Sequence, residues 1–111
     1  MIKIDYVELP STDMAATERF LVSAFGWGMV DYGPQYRGFT GAGLDGGIDA
    51  AGEPHGPLVL MKTDDLAATE AAVVAAGGVI VVPQFDFPGG RRFHFREPGG
   101  NVMGVWAEPV T

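Results

Sequence analysis

The stretch Asp13-Met14-Ala15-Ala16-Thr17-Glu18 returns 52 residues later as Asp65-Leu66-Ala67-Ala68-Thr69-Glu70. At that offset Val22 falls on Val74, Ala24 on Ala76 and Gly26 on Gly78, so the window from Asp13 to Gly26 holds eight identities in fourteen positions. The apolar pairs upstream also stay in step, Val7 with Val59 and Leu9 with Met61. A short match alone is weak in an Ala-rich chain. Preservation of the preceding strand pattern and the closing glycine points to two fused copies of one supersecondary unit.

Each copy reads as βαβββ. Ile2 to Leu9 is rich in β-branched and aromatic residues and stops at Pro10, which predicts a strand. Met14, Thr17, Phe20, Leu21, Ala24 and Phe25 follow helical spacing, with Asp13 or Thr12 as the cap and Gly26 as the stop. Strands are expected over Trp27–Tyr32, Gln35–Thr40 and Gly47–Ala50. The breaker-rich run Ala51-Gly52-Glu53-Pro54-His55-Gly56-Pro57 reads as a linker between a first module (1–50) and a second (58–111). The second module opens with a strand at Leu58–Lys62 and a helix from Asp65 to about Ala76, stopped by Gly77-Gly78. Val79–Val82, Arg91–Arg96 and Asn101–Ala107 then predict three strands, with turns at Pro88-Gly89-Gly90 and Glu97-Pro98-Gly99-Gly100. The expected fold class is α+β: two tandem modules forming a curved mixed sheet, with helices on the convex face and a cup on the other.

Composition narrows the function. The 111 residues are 47% hydrophobic and 19% charged, enough for a packed core and unlike a disordered chain. Without cysteine there is no disulfide, zinc ribbon or thiol nucleophile. No apolar run approaches the roughly 18 residues of a membrane helix, and Met1-Ile2-Lys3-Ile4-Asp5 lacks a signal-peptide pattern. A cytoplasmic protein with no membrane partner is expected. The net charge of −7 repels phosphate backbones, so no nucleic-acid partner is expected either. The chain also lacks a G-x-S-x-G elbow, a P-loop and a dinucleotide fingerprint.

Several pieces resemble the vicinal oxygen chelate superfamily, which includes glyoxalase I, extradiol dioxygenases and bleomycin-resistance proteins. They are Tyr6-Val7-Glu8-Leu9-Pro10-Ser11-Thr12-Asp13 running into a helix, Phe25-Gly26-Trp27, Ala76-Gly77-Gly78-Val79, and the turn Glu97-Pro98-Gly99-Gly100-Asn101. The last is similar to that family's Asp-Pro-Asp-Gly-Asn turn. The resemblance implies metal ligands on the first and fourth strands of each module, where this chain carries Tyr6, Leu58, Gly104 and, by the Gly46-Gly47 alignment, Ala51. Such side chains do not form the nitrogen and oxygen shell of zinc, nickel or iron. No metal and no other cofactor is therefore expected.

Strand alternation proposes another set of residues. If Tyr6 faces the cup, so do Glu8 and, in the second module, Leu58, Leu60 and Lys62. With Phe93 and Phe95 in the core, Arg92, His94 and Arg96 point to the cup, and Trp106 shares the face of Gly104. His94 suits a general base or a ligand contact, and equally a cross-strand partner of a carboxylate. Arg92, Arg96 and Lys62 suit a carboxylate or phosphate, or a solvated strand edge. Gly104 suits either added pocket volume or a bulge. Trp27, Tyr32, Tyr36 and Phe39 are candidate stacking residues, with Trp27 favoured as a core or dimer contact. His55 reads as a surface residue of the linker. The expected function is metal-independent binding of an unidentified small organic molecule by a homodimer, of the sequestering or drug-resistance type. Tyr6, Leu58, Leu60, Lys62, Arg92, Gly104 and Trp106 would contact the ligand. The alternative is a lyase, isomerase or dioxygenase-like enzyme, either metal-free with His94 and Glu8 as the acid–base pair, or with a relocated metal at Glu8, His94, Asp49 and Glu53. A third is a dimeric scaffold whose cup is filled by its own aromatics.

Overall fold

The two copies of the repeated stretch start their helices in the same way. In the computed structural model, which describes residues 2–51 and 56–109, β1 (Lys3–Pro10) leads to α1 (Met14–Phe25), and β5 (Leu58–Lys62) leads to α2 (Leu66–Ala75). Asp13 caps α1 by accepting from Ala16 N at 3.1 Å, and Asp65 caps α2 by accepting from Ala68 N at 3.0 Å. Each cap is braced by a hydroxyl pair: Ser11 with Thr17 and Thr63 with Thr69, both at 2.7 Å. The helix stops differ by one position. Gly26 takes a left-handed φ of 73°, whereas in the second copy Gly77 does so at 102°, one residue before the Gly78 expected from the 52-residue offset.

Three strands follow each helix: β2 (Gly28–Asp31), β3 (Tyr36–Thr40) and β4 (Asp45–Asp49), then β6 (Val79–Phe87), β7 (Gly90–Arg96) and β8 (Val102–Ala107). The fold is α+β, built from two βαβββ copies as the repeat implies. Contacts divide the chain into one unit of residues 5–58 and another formed mainly by the chain from Val59 onward. Within the first, the strand order is β2-β3-β4-β1, with β1 and β4 parallel and the remaining pairs antiparallel. Within the second it is β5-β8-β7-β6, with β5 and β8 parallel.

One face of each sheet packs on its helix. Leu21 of α1 meets Phe39 and Ile48, with Val7, Leu9 and Trp27 around them. Leu66 of α2 meets Phe93, Phe95 and Val105, with Met61, Ile80 and Met103. Trp27 thus joins the core, and Phe39, at 4% exposure, is a core residue and not the stacking residue expected. The α1 stripe is narrower than its spacing suggests: Phe20 and Phe25 stay 62% and 59% exposed, stacked edge-on to each other. The strand β6 runs five residues beyond the Val82 expected, through Pro83, with register shifts on both sides of Val82. Pro has no N–H to give a ladder, and an edge strand with bulges accommodates it. No helix among the described residues is long and apolar enough to cross a membrane.

Candidate functional site

Alternation places the candidate residues on the sheet faces away from the helices. On β1, Val7 and Leu9 enter the helix-side core, so Tyr6 and Glu8 lie on the opposite face. On β7, Phe93 and Phe95 are core, so Arg92 and His94 lie opposite; on β8, Val105 is core, leaving Gly104 and Trp106. Leu58, Leu60 and Lys62 alternate with Val59 and with the core residue Met61 on β5.

In the first unit this face is phenolic and acidic. Glu8 is only 8% exposed. Its carboxylate accepts from the Tyr36 hydroxyl at 3.2 Å, and the Tyr36 and Tyr6 hydroxyls are 2.5 Å apart. Tyr36 stands on β3 and Glu8 on β1, with β4 between them. Gly47 of β4 pairs with Glu8 on one side and Gly38 on the other. A Cβ at Gly47 would overlap the Tyr36 hydroxyl and ring, so the ring reaches Glu8 only because β4 carries hydrogen there. Tyr32 continues the aromatic surface, its ring centroid 6.3 Å from that of Tyr36 and its edge above Gly38. Burial raises the Tyr36 phenol far above its ordinary value, with the Tyr6 hydrogen bond and the Glu8 charge adding to the effect. Tyr36 therefore stays protonated and remains a donor. Sequence reading named Tyr36 only as a stacking residue; its coupling to Glu8 depends on the β3–β4–β1 order, which no local pattern reveals.

In the second unit the face mixes cations with aromatics. The Arg92 guanidinium carbon lies 5.4 Å from the Phe85 centroid and 5.3 Å from that of Phe87. The His94 ring meets Phe85 edge-on at 5.6 Å, and Phe87 meets Trp106 edge-on at 6.1 Å. Lys62 Nζ is 5.1 Å from the Trp106 centroid and pairs with Glu108 at 2.8 Å. Leu60 is 2% exposed, and a Cβ at Gly104 would come 3.0 Å from its Cδ2 and 3.2 Å from His94 Cδ2. Gly104 thus lets Leu60 and His94 approach one another across β8. Arg96, one face-step beyond His94, is exposed. Phe85 and Phe87 were missed because the strand was expected to end before Pro83; their own alternation was the available signal. None of Tyr6, Glu8, Lys62, Arg92, His94 or Trp106 stands without an interaction.

Strand register also corrects one position. Leu60 pairs with Gly104 as Glu8 pairs with Gly47, so the first-unit counterpart of Gly104 is Gly47 and not Ala51. The positions at which the resemblance implies metal ligands then become Tyr6, Gly47, Leu58 and Gly104. Two glycines and a leucine supply no side-chain donor, so this set does not fit a zinc, nickel or iron centre. Among the described residues no three His, Asp or Glu side chains form a metal-holding group. Asp49, named for the relocated site, accepts from Ala51 N at 2.9 Å. Glu53 and His55 lie outside the described residues.

Comparison with known proteins agrees with this architecture. CFP32 of Mycobacterium bovis, which carries the provisional name of a glyoxylase, is 33% identical over 92% of this chain. The anthracycline biosynthesis protein DnrV of Streptomyces peucetius is 30% identical over 95%. The chain spans only 44% and 46% of the length of these two relatives. Among solved structures, the Mn(II)-bound glyoxalase of Novosphingobium aromaticivorans shares the fold at a TM-score of 0.71 and 21% identity, over 96% of this chain and 40% of its own. Methylmalonyl-CoA epimerase of Mycobacterium tuberculosis shares it at 0.71 and 14% identity, over 97% and 88%. Residues 3–105 match the family profile of the Glyoxalase/Bleomycin resistance protein/Dioxygenase superfamily, and the chain belongs to that superfamily.

Proposed function

We propose that this chain binds a small, flat organic molecule on the helix-free faces of its sheets, without a metal. The observation that carries this reading is the second-unit face, where Phe85, Phe87 and Trp106 lie among Arg92, His94 and Lys62. Such a surface stacks on a planar ring and pairs with an anionic or carbonyl group on it. The name of the Streptomyces relative, an anthracycline biosynthesis protein, supports a flat aromatic ligand. The acidity of the chain does not oppose an anion here. Eight acidic and two basic residues fall between Asp5 and Leu58, against six and five in the rest, so the negative surplus belongs to the first unit.

A screen of aromatic acids and quinones by thermal denaturation tests the proposal. A true ligand raises the melting temperature progressively with the logarithm of its concentration, by the equivalent of about 2.7 kcal/mol at 100 times its dissociation constant. Stabilisation that is unchanged in Arg92→Ala contradicts the assigned face. We further assign the protein to the cytoplasm and to a homodimer, checked by light scattering against twice the 11.7 kDa chain mass.

The second reading is a metal-free enzyme using Glu8 and His94. The buried Glu8 carboxylate held by Tyr36 favours it, and so does the provisional glyoxylase name of the mycobacterial relative. Turnover that disappears in His94→Ala or Glu8→Gln with the fold intact supports this reading.

A further inference from the structure

The glutamate of the repeat reaches, in both copies, from its helix toward the hairpin formed by the second and third strands. In the first copy Glu18 Oε1 lies 3.7 Å from Arg37 Nε, and Arg37 donates to Asp31, its cross-strand partner, at 2.9 Å. In the second, Glu70 accepts from Gln84 Nε2 at 3.1 Å, Gln84 Oε1 accepts from Arg91 Nε at 2.9 Å, and Arg91 donates to its partner Asp86 at 2.7 Å. A guanidinium only donates, so the amide oxygen faces Arg91 and the NH2 group is turned to Glu70.

Gln84 sits where β6 breaks register. Val82 pairs with His94 and Phe85 with Arg92, so three steps along β6 match two along β7. That bulge includes Pro83, which has no N–H to hold a ladder. Beyond it, Gln84 and Asp86 share the helix side with Arg91 and the core residue Phe93, while Phe85 and Phe87 lie against Arg92 on the helix-free side. A slip of one residue would exchange the two sets. The exposed Arg91–Asp86 ion pair contributes little to preventing it. The half-buried Gln84–Glu70 hydrogen bond ties the bulged strand to α2.

We propose that Glu70 and Gln84 are positioning residues for the second-unit face: their clasp fixes the register of β6 beyond its bulge and so sets Phe85 and Phe87 against Arg92. This rests on the reading that this face binds a flat organic molecule, and adds which residues, on the opposite side of the sheet, hold its rings in place. Neither residue touches the ligand, and no proton is transferred.

The test joins two readouts, naphthoate affinity by titration and proton–proton contacts of the Phe85 and Phe87 rings with the Arg92 side chain by nuclear magnetic resonance. Gln84→Met keeps the side-chain length but removes both hydrogen bonds. It should weaken naphthoate about tenfold, the scale of one misplaced charged hydrogen bond, and abolish the ring contacts while those between Phe93 and Phe95 persist. Glu70→Ala should do the same, and decides the matter if Gln84→Met does not fold. Glu70→Gln keeps an acceptor for the Gln84 amide and should stay within about twofold of the unmodified protein. Asp65→Ala loosens the start of the same helix without touching the clasp, and should also stay within about twofold. Ring contacts and affinity retained in a folded Gln84→Met or Glu70→Ala overturn the inference. An equal loss in Asp65→Ala overturns it too, since general loosening then explains the effect. If naphthoate and the other flat probes fail to bind the unmodified protein, the flat-ligand reading falls, and the ring contacts alone decide whether the clasp positions the hairpin.

Discussion

Gly47 and Gly104 occupy equivalent places in the two sheets but admit different neighbours. Gly47 passes a phenol across β4 to a buried carboxylate; Gly104 brings a leucine and a histidine together over β8. Adding a methyl group tests each. Gly47→Ala forces Tyr36 away from Glu8 and should cost about 1–3 kcal/mol in urea denaturation, as overpacking does. Gly104→Ala meets side chains at 3.0–3.2 Å and should cost less, about 1 kcal/mol. Arg92→Ala should weaken an aromatic carboxylate ten- to a hundredfold, about 1.5–3 kcal/mol for a charged hydrogen bond, by direct titration. Tyr36 also gives a signed pH effect. Its folded pKa is raised, so above about pH 10 the unfolded phenol ionises while the folded one keeps its proton. Stability is therefore lost as pH rises through that range, and Tyr36→Phe should flatten the slope in denaturation curves at alkaline pH. Tyr6 and Glu8 in the first unit, and Arg92 and His94 in the second, were each legible from alternation alone as lying on the helix-free face of their own strands. Tyr36 was not legible as the partner of Glu8, because that contact joins strands separated by a third.

At the scale of elements, the repeated Asp-x-Ala-Ala-Thr-Glu stretch makes two caps with nearly the same geometry. Asp13→Ala and Asp65→Ala should each cost about 1 kcal/mol by thermal denaturation, the usual worth of a cap, and Asn at either position should recover most of it. The Ser11–Thr17 and Thr63–Thr69 clasps are only half visible in the repeat: Thr17 and Thr69 are an identity, while Ser11 and Thr63 lie upstream of the counted window and differ in residue, although both hydroxyls do the same work. Helix starts were readable because caps are local chemistry. The extent of β6 was not: Pro83 reads as a breaker, yet at a sheet edge its missing N–H leaves no central ladder bond broken. That single proline hid Phe85 and Phe87, the rings against which Arg92 lies. Helical spacing likewise overstated the buried stripe of α1, since Phe20 and Phe25 stack on one another at the surface.

For the whole molecule, the duplication was legible because both copies keep the strand–cap–helix–glycine order, and membership of the superfamily follows from the match over residues 3–105. The fourth-strand position of the first copy was misplaced because the two copies differ in length between helix and last strand: Glu8 and Leu60 are 52 residues apart, while their partners Gly47 and Gly104 are 57 apart. Only hydrogen-bond register reveals that slip. Under the proposed function, this chain takes an organic ligand directly and not through a metal. Metal content of untagged protein, purified without chelator and then challenged with zinc, nickel, manganese and ferrous iron, tests it most directly. Less than about a tenth of an equivalent bound, with no change in melting temperature, is expected of a site without a donor shell. Close to one equivalent, lost in Glu8→Ala or His94→Ala, would contradict it.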